Sequence, residues 1–383
     1  MASEALLSRE YSDWTQVSLV KIHVWSPNFA GFGGGIASFS RELVVGLRDN
    51  GHGLRLYGKL DSTGIFEGVP LSGAMLYPTL LRNACFAATA LASCAKHRPE
   101  HIITTHLNFG PIARLAKRVV GTPYTVVAHG IDVHSALDAS KIRALRDADR
   151  VITVSAWTKA RVLRLGGIDA SRVAIVANTL DDSRFSVRPE PESLKRRYGI
   201  RPDERVVLIV ARLSATERYK GYDTVVHALP TIRSFRHPVR FLVVGDGDDR
   251  QRVEALAVRL GVEKLVTFAG FVEAEELPDH YRLADAFAMP SSGEGFGIVF
   301  LEAMACGTPV LAGNCDGSVD ALDGGRLGLL VDPKDVGSIA RGIVALLGKD
   351  GPPLWFDRNA LHEAVVERFG RAVFRAALER TFS

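Results

Sequence analysis

Two glutamates eight residues apart carry the strongest chemical signal in the chain. They sit in the run Pro290-Ser291-Ser292-Gly293-Glu294-Gly295-Phe296-Gly297-Ile298-Val299-Phe300-Leu301-Glu302, which reads as a glycine-rich turn opening a helix after a strand. Eight residues is slightly more than two helical turns, so Glu302 falls beneath the loop that holds Glu294. Such a pair can grip two hydroxyl-bearing parts of one ligand, while the N–H groups of Phe296, Gly297 and Ile298 face its phosphates. A second glycine-rich run, Gly31-Phe32-Gly33-Gly34-Gly35, lies between a strand ending in Ser26-Pro27 and the helical run Ile36 to Leu47. Glycines there let backbone N–H groups approach an anion closely, although they also serve a tight turn. Ile36 stands where the dinucleotide fingerprint needs its third glycine, which disfavours a nicotinamide dehydrogenase. His129 ends the strand Tyr124–Ala128, just before Gly130, at an edge that faces the cleft of an α/β sheet. His106 and His134 are weaker candidates.

With its continuation Ala303-Met304-Ala305-Cys306-Gly307-Thr308-Pro309-Val310, the glutamate segment resembles the E-x7-E motif of the large GT-B glycosyltransferase family, group 1 or family 4. Its retaining members include bacterial mannosyl- and glucosyltransferases. The resemblance implies that Glu294 holds hydroxyls of a donor sugar and Glu302 the ribose of its nucleotide, with Gly295 to Ile298 at the phosphates. Arg212, at the end of the strand Val206–Ala211, and Lys220 before Gly221 resemble the family's Arg and Lys-Gly pair, whose cations clamp the donor diphosphate. Two fixed cations suit charge that grows on a departing nucleoside diphosphate. The gap between them is longer than the commonest family spacing, and Arg218 is a rival to Lys220. Phe268-Ala269-Gly270-Phe271-Val272 also fits, with backbone near Phe271 and Val272 at the base. The family likeness places His129 near the transferred sugar, makes Ser155 a helix cap and puts Asn178 on the hinge side. It runs from about Lys21 to Asp335. Asp246-Gly247-Asp248 has the form of a D-x-D metal site, but it belongs to a turn already accounted for, and Arg212 with Lys220 leaves a metal little to neutralise. Neither a metal nor a cofactor is expected; the nucleotide sugar is a co-substrate.

Two α/β units must hold these residues. Leu19–Trp25, Leu54–Tyr57, His101–Thr105, Tyr124–Ala128 and Arg150–Val154 read as strands separated by helical patterns, and the rhythm restarts at Val206–Ala211, Arg240–Val244, Leu265–Phe268, Ala286–Met289 and Pro309–Ala312. That alternation means βαβ units and parallel sheets. Two doubly wound domains in tandem are the simplest account, and the family resemblance implies the GT-B arrangement, two Rossmann-like domains facing each other across a cleft. Turn formers and charges gather in Asn178 to Glu192, giving domains over 1–185 and 186–383; the resemblance implies that the first binds the acceptor and the second the nucleotide sugar. The pattern from Asn359 to Phe382 has no strand after it and suits terminal helices, which are expected to cross back to the first domain.

A length of 383 residues favours two cores, and 47% hydrophobic with 23% charged residues is a globular composition. Cys85, Cys94, Cys306 and Cys315 are too far apart for the short pairs of a zinc site and read as buried thiols. The first twenty residues lack a signal-peptide pattern and the longest apolar stretch is too short to span a bilayer, which points to the cytoplasm. Residues 1–185 hold 21 Lys and Arg against 15 Asp and Glu. That basic half suits a peripheral contact with a membrane surface or a lipid diphosphate, but ordinary solvated helix faces account for it more readily; no nucleic-acid partner is expected. The expected activity is retaining transfer of a hexose from a nucleotide sugar, GDP-mannose or UDP-glucose first, to a glycan or polyprenyl-diphosphate-linked acceptor in exopolysaccharide or envelope assembly. A non-catalytic nucleotide-sugar-binding subunit and a GT-B-type epimerase are the alternatives, separable by acceptor-dependent release of nucleoside diphosphate.

Overall fold

Runs of β-branched and aromatic residues buried on both faces make the centre of each sheet, as parallel strands covered by helices require. A computed structural model describes residues 20–30, 34–134 and 136–382. Strands β1 (Lys21–Ser26), β2 (Gly53–Gly58), β3 (Gly64–Phe66), β4 (Val69–Gly73), β5 (His101–Thr104), β6 (Tyr124–Ala128), β7 (Arg150–Thr153) and β8 (Val173–Ile175) form the first sheet, in the order β3-β4-β2-β1-β5-β6-β7-β8. Every neighbouring pair is parallel except β3 and β4. The second sheet is wholly parallel: β9 (Arg205–Val210), β10 (Val239–Val244), β11 (Val266–Gly270), β12 (Ala286–Met289), β13 (Val310–Gly313) and β14 (Leu329–Val331), ordered β11-β10-β9-β12-β13-β14. Each lobe is Rossmann-like, and a cleft separates them.

All ten strands read from the sequence are present within two residues at each end, apart from the start of the first, where Leu19 lies outside the described residues. Four were not anticipated. Hairpin β3–β4 and edge strands β8 and β14 are three to five residues long, and β3 and β4 each carry glycine, so none has the buried run that marks a central strand.

The chain passes between the lobes twice. It leaves the first after β8, and the helix Arg358–Phe369 then leads into the helix Arg371–Phe382, which packs on Gly35–Asp49 of the first lobe. Phe374 meets Phe39 edge-on with 5.4 Å between ring centres, and Leu378 is buried beside Gly46. Burying two such side chains is worth about 1.5–3 kcal/mol each. Arg371 pairs with Glu42 at 2.8 Å and with Asp181 at 3.1 Å, and Thr179 Oγ1 donates to the carbonyl of Phe369 at 2.7 Å. The two crossings are thereby bonded to each other.

Candidate active site

Strand order creates the site. In the first sheet the chain runs from β1 outward to β2 and β4, then returns to β5 on the other side of β1; in the second, β9 is flanked by β10 and β12. Loops leaving the strand ends at such switch points diverge and leave a crevice. Those after β1, β6, β9 and β12 line one cavity of about 1380 Å³ between the lobes.

Arg212 and Lys220 both face this cavity. Glu217 joins them, its carboxylate 2.7 Å from Lys220 Nζ and 3.3 Å from Arg212 Nη1. Lys220 is largely buried, whereas the Arg212 side chain is 68% exposed, so one cation is fixed and the other has room to move. Arg218 turns the other way and binds Asp249 at 2.7 Å, which leaves Lys220 as the cleft-facing member of the loop. A Cβ on Gly221, whose φ is +77°, would come within 2.5 Å of the Pro290 carbonyl, so the loop can lie against the glutamate segment only with glycine here.

Glu294 and Glu302 both line the cavity. The N–H of Glu294 donates to Asp316 Oδ2 at 2.7 Å, and Asp316 also accepts from Ser291 Oγ and Ser318 N at 2.8 and 2.9 Å. Burial raises the Glu294 carboxyl above its ordinary range, with the Lys220 charge opposing. Glu302 lies in the second turn of the helix Ile298–Ala305 and accepts from the Tyr281 hydroxyl at 2.7 Å. Burial raises its carboxyl too, against that hydrogen bond. Phe296, Gly297 and Ile298 line the cavity at the helix start, and the first turn carries no acidic side chain. From the opposite lobe Gly34 and Gly35 open the helix Gly35–Asp49, and a Cβ on Gly35 would lie 4.0 Å from Ile298 Cγ2. Two helix N-termini thus converge on one volume, a setting that favours negative charge.

The imidazole of His129 is buried on the first-lobe wall, with Nε2 2.8 Å from the Thr105 carbonyl. A carbonyl only accepts, so Nε2 carries the proton. Burial pushes the imidazole down to about 4, with Asp132 opposing, and the ring is neutral at pH 7. Asp132 accepts from the His129 N–H at 3.2 Å and lies 3.1 Å from His106 Nε2. Asn178 is buried on the cavity wall with its Oδ1 unpartnered. Phe271 and Val272 line the far end beside Val244 and Gly245.

Two expected site residues are not in the cavity wall as described. Gly33 lies outside the described residues. Gly295 is buried against the other lobe, where a Cβ would come within 1.8 Å of the His129 carbonyl. His134 is also displaced from the wall, its ring near Trp157 and Tyr219. Asp246 and Asp248 diverge: the first binds Arg250 at 3.0 Å and the second accepts from Ala215 N at 3.0 Å. Among the described residues no group of three or more His, Cys, Asp or Glu could hold a metal ion. Four carboxylates and hydroxyls that organise the site escaped the sequence reading: Glu217, Asp316, Tyr281 and Asp61. Asp61 takes the N–H groups of Phe29 and Ala30 at 2.9 and 3.0 Å, holding the loop after β1. Of these, Glu217, three residues before Lys220, carried a detectable signal.

The family of glycosyl transferases group 1 matches residues 191–362, and the glycosyl transferase 4-like domain matches residues 34–179. A GDP-mannose-dependent alpha-(1-6)-phosphatidylinositol monomannoside mannosyltransferase of Mycobacterium tuberculosis is 37% identical over 270 residues, 65% of this chain and 68% of its own length. The chain is a GT-B glycosyltransferase of group 1. This glycosyltransferase is also 30% identical over 314 residues to 2-deoxystreptamine glucosyltransferase of Streptomyces kanamyceticus, covering 75% of this chain and 79% of that one. Its fold is that of Anabaena Alr3699/HepE, solved in complex with UDP: TM-score 0.77 and 21% identity, over 94% of this chain and 99% of the other.

Proposed function

We propose that this glycosyltransferase moves a hexose, mannose or glucose, from a nucleotide-diphospho-sugar to a glycan or lipid-linked acceptor, keeping the donor's α configuration, in polysaccharide or envelope assembly. One observation carries the reading: two cations, two helix starts and two half-buried glutamates face a single interlobe cavity. The relative named for GDP-mannose and the solved fold holding UDP support a nucleotide-sugar donor. In this reading the diphosphate lies against Arg212, Lys220 and the helix start at Gly297 and Ile298, with Gly34 and Gly35 opposite. Glu302 takes the ribose, backbone at Phe271 and Val272 the base, and Glu294 the sugar hydroxyls. The bond from the anomeric carbon to the leaving phosphate oxygen breaks, and the acceptor oxygen bonds to the same face. Its proton passes to that departing oxygen. Arg212 and Lys220 stabilise the charge that develops, so the reaction needs no metal ion; removing one such preorganised group typically costs about 10²–10³ in kcat. Neutral His129 shapes the wall beside the sugar.

On the first lobe, which would take the acceptor, Leu76, Leu80 and Leu81 are 85%, 96% and 56% exposed and come just ahead of cavity-lining Asn83 and Phe86 in the chain. Arg114, Lys117, Arg118, Arg146 and Arg172 gather around Asp147 on the same lobe. Exposed leucines and cations on one lobe suit an acceptor at an anionic membrane surface, which the enzyme touches peripherally from the cytoplasmic side. Among the described residues no helix is long and apolar enough to cross a membrane. A thermal-shift panel of UDP-, GDP- and ADP-sugars tests the donor, because a ligand bound only by the folded state raises its melting temperature. Acceptor-dependent release of nucleoside diphosphate tests turnover. Stabilisation by sugar nucleotides without release would leave a binder, and release that no acceptor accelerates beyond slow transfer to water would favour an epimerase or hydrolase.

A further inference from the structure

Behind the cavity the two lobes touch through polar contacts that the donor site does not use. Asp320, in the short helix Ser318–Ala321 of the second lobe, accepts from the N–H groups of Ala156 and Trp157 at 2.9 and 3.4 Å. Those groups begin the first-lobe helix Ala156–Arg164, whose own cap, Ser155, accepts from Thr158 N. Ser155 Oγ in turn donates across the interface to the Gly295 carbonyl at 2.7 Å. Backbone meets backbone here: a Cβ on Gly130 would lie 2.2 Å from the Gly295 Cα. Asp320 follows Asp316 by four residues, and Asp316 holds the Glu294 N–H. Glu294 is therefore tied on one side to its own lobe through Asp316 and on the other, through Gly295, to the first lobe.

We infer that Asp320, with Ser155, is a positioning residue for transfer: it docks the first-lobe helix start onto the Glu294 loop and sets that glutamate relative to the His129 wall. A helix start leaves N–H groups unpaired and carries partial positive charge, so a carboxylate from the opposite lobe is a charge-assisted anchor. Arg212, Lys220, Glu302 and the helix start at Ile298 all belong to the second lobe and do not depend on it. Docking thus governs reaction geometry, where a displacement of about 1 Å can cost about 10²-fold in rate, and leaves the nucleotide grip largely intact, since Gly34 and Gly35 are the part of it contributed by the first lobe. The inference rests on the glycosyltransfer reading proposed above.

The test compares wild type with Asp320→Ala, Asp320→Asn, Ser155→Ala and the double variant Asp320→Ala/Ser155→Ala. Hydrolysis of UDP-glucose and GDP-mannose, read as released UDP or GDP, follows turnover; calorimetry gives the Kd of UDP and GDP; hydrogen exchange reads the amides of residues 156–158. Asp320→Ala should lower kcat by about tenfold or more with nucleotide Kd changed less than about twofold, and should unprotect the residue 156 and 157 amides. Asp320→Asn, which keeps an acceptor, should recover part of the loss, and the double variant should fall short of the product of the single effects. Unchanged kcat in Asp320→Ala, or loss of nucleotide binding in step with kcat, would overturn the inference. If Asp320→Ala does not fold, Ser155→Ala alone must show the kcat loss at constant Kd, or the inference fails. Wild type that binds neither UDP nor GDP would instead sink the functional reading on which it rests.

Discussion

Glu217 sits where it competes with the donor for both cations, and its neutralisation should tighten nucleoside diphosphate binding. Its carboxylate lies 2.7 Å from Lys220 Nζ and 3.3 Å from Arg212. A phosphate oxygen that contacts Lys220 at a charge-assisted distance of about 2.8 Å lies about 5–6 Å from that carboxylate. Two unit negative charges about 6 Å apart repel by about 0.7 kcal/mol at a water-like dielectric and about 2.8 kcal/mol at an effective value near 20. The geometric mean of that range, about 1.4 kcal/mol, is tenfold in affinity. Glu217→Gln removes the charge and keeps an oxygen that can accept from Lys220, so titration calorimetry should show the Kd for UDP or GDP falling about tenfold. The gain should shrink as salt is added. Slower product release should lower kcat wherever release limits turnover. An unchanged or weaker Kd in Glu217→Gln would refute the reasoning and leave Glu217 as a bracket that aims Lys220.

Glu294→Ala and Arg212→Ala should each abolish measurable transfer while circular dichroism stays native; near-normal turnover in either would remove its assigned role. Burial raises the Glu294 carboxyl and depresses His129 to about 4, so kcat/KM should lack a histidine step near the ordinary value of about 6.5. Because the ionised Glu294 is the better hydroxyl acceptor, activity should fall as pH drops through a value above the usual carboxylate range, and a profile flat down to that range would contradict the assignment. Asp249 is buried and accepts from Arg218, Arg252 and Tyr222, bonds that hold its carboxyl well below the usual range. Its contribution is therefore present above about pH 3.9, the unfolded value, and is lost as pH falls toward the folded one. Asp249→Ala should cost about 2 kcal/mol in urea unfolding at pH 7, and an unchanged midpoint would argue against the network. Leu76→Asp with Leu80→Asp should weaken co-sedimentation with phosphatidylglycerol vesicles without changing UDP or GDP affinity; equal pelleting would discard the membrane contact.

What the chain announced in advance follows from where the physics is local. A buried parallel strand needs a continuous apolar run, so β1, β6, β9 and β12 and the loops at their ends, with His129 and Glu294, were legible from residue order, while Arg212 was marked out by the family resemblance. Edge strands β3, β8 and β14 are too short to show a period. Residues that act across long sequence separations were silent: Asp316 reaches back 22 positions to Glu294, Tyr281 forward 21 to Glu302, and Asp320 spans 164 positions to Ala156. Only folding gives these pairs a shared location. Gly295 shows the converse, since its place beside Glu294 pointed to the ligand, while the fold spends it on backbone contact with His129 and Gly130.

The double passage of the chain constrains how the enzyme opens. Because Thr179 is bonded to Phe369 and Arg371 to Asp181, the two crossings form one spine, and a hinge there would turn the lobes like the covers of a book. Swinging the covers apart would widen the mouth at Leu60 and Phe271 the most and shift spine residues such as Asn178 the least, so a ligand touching the spine would keep its anchor while the rest of the cavity opened around it.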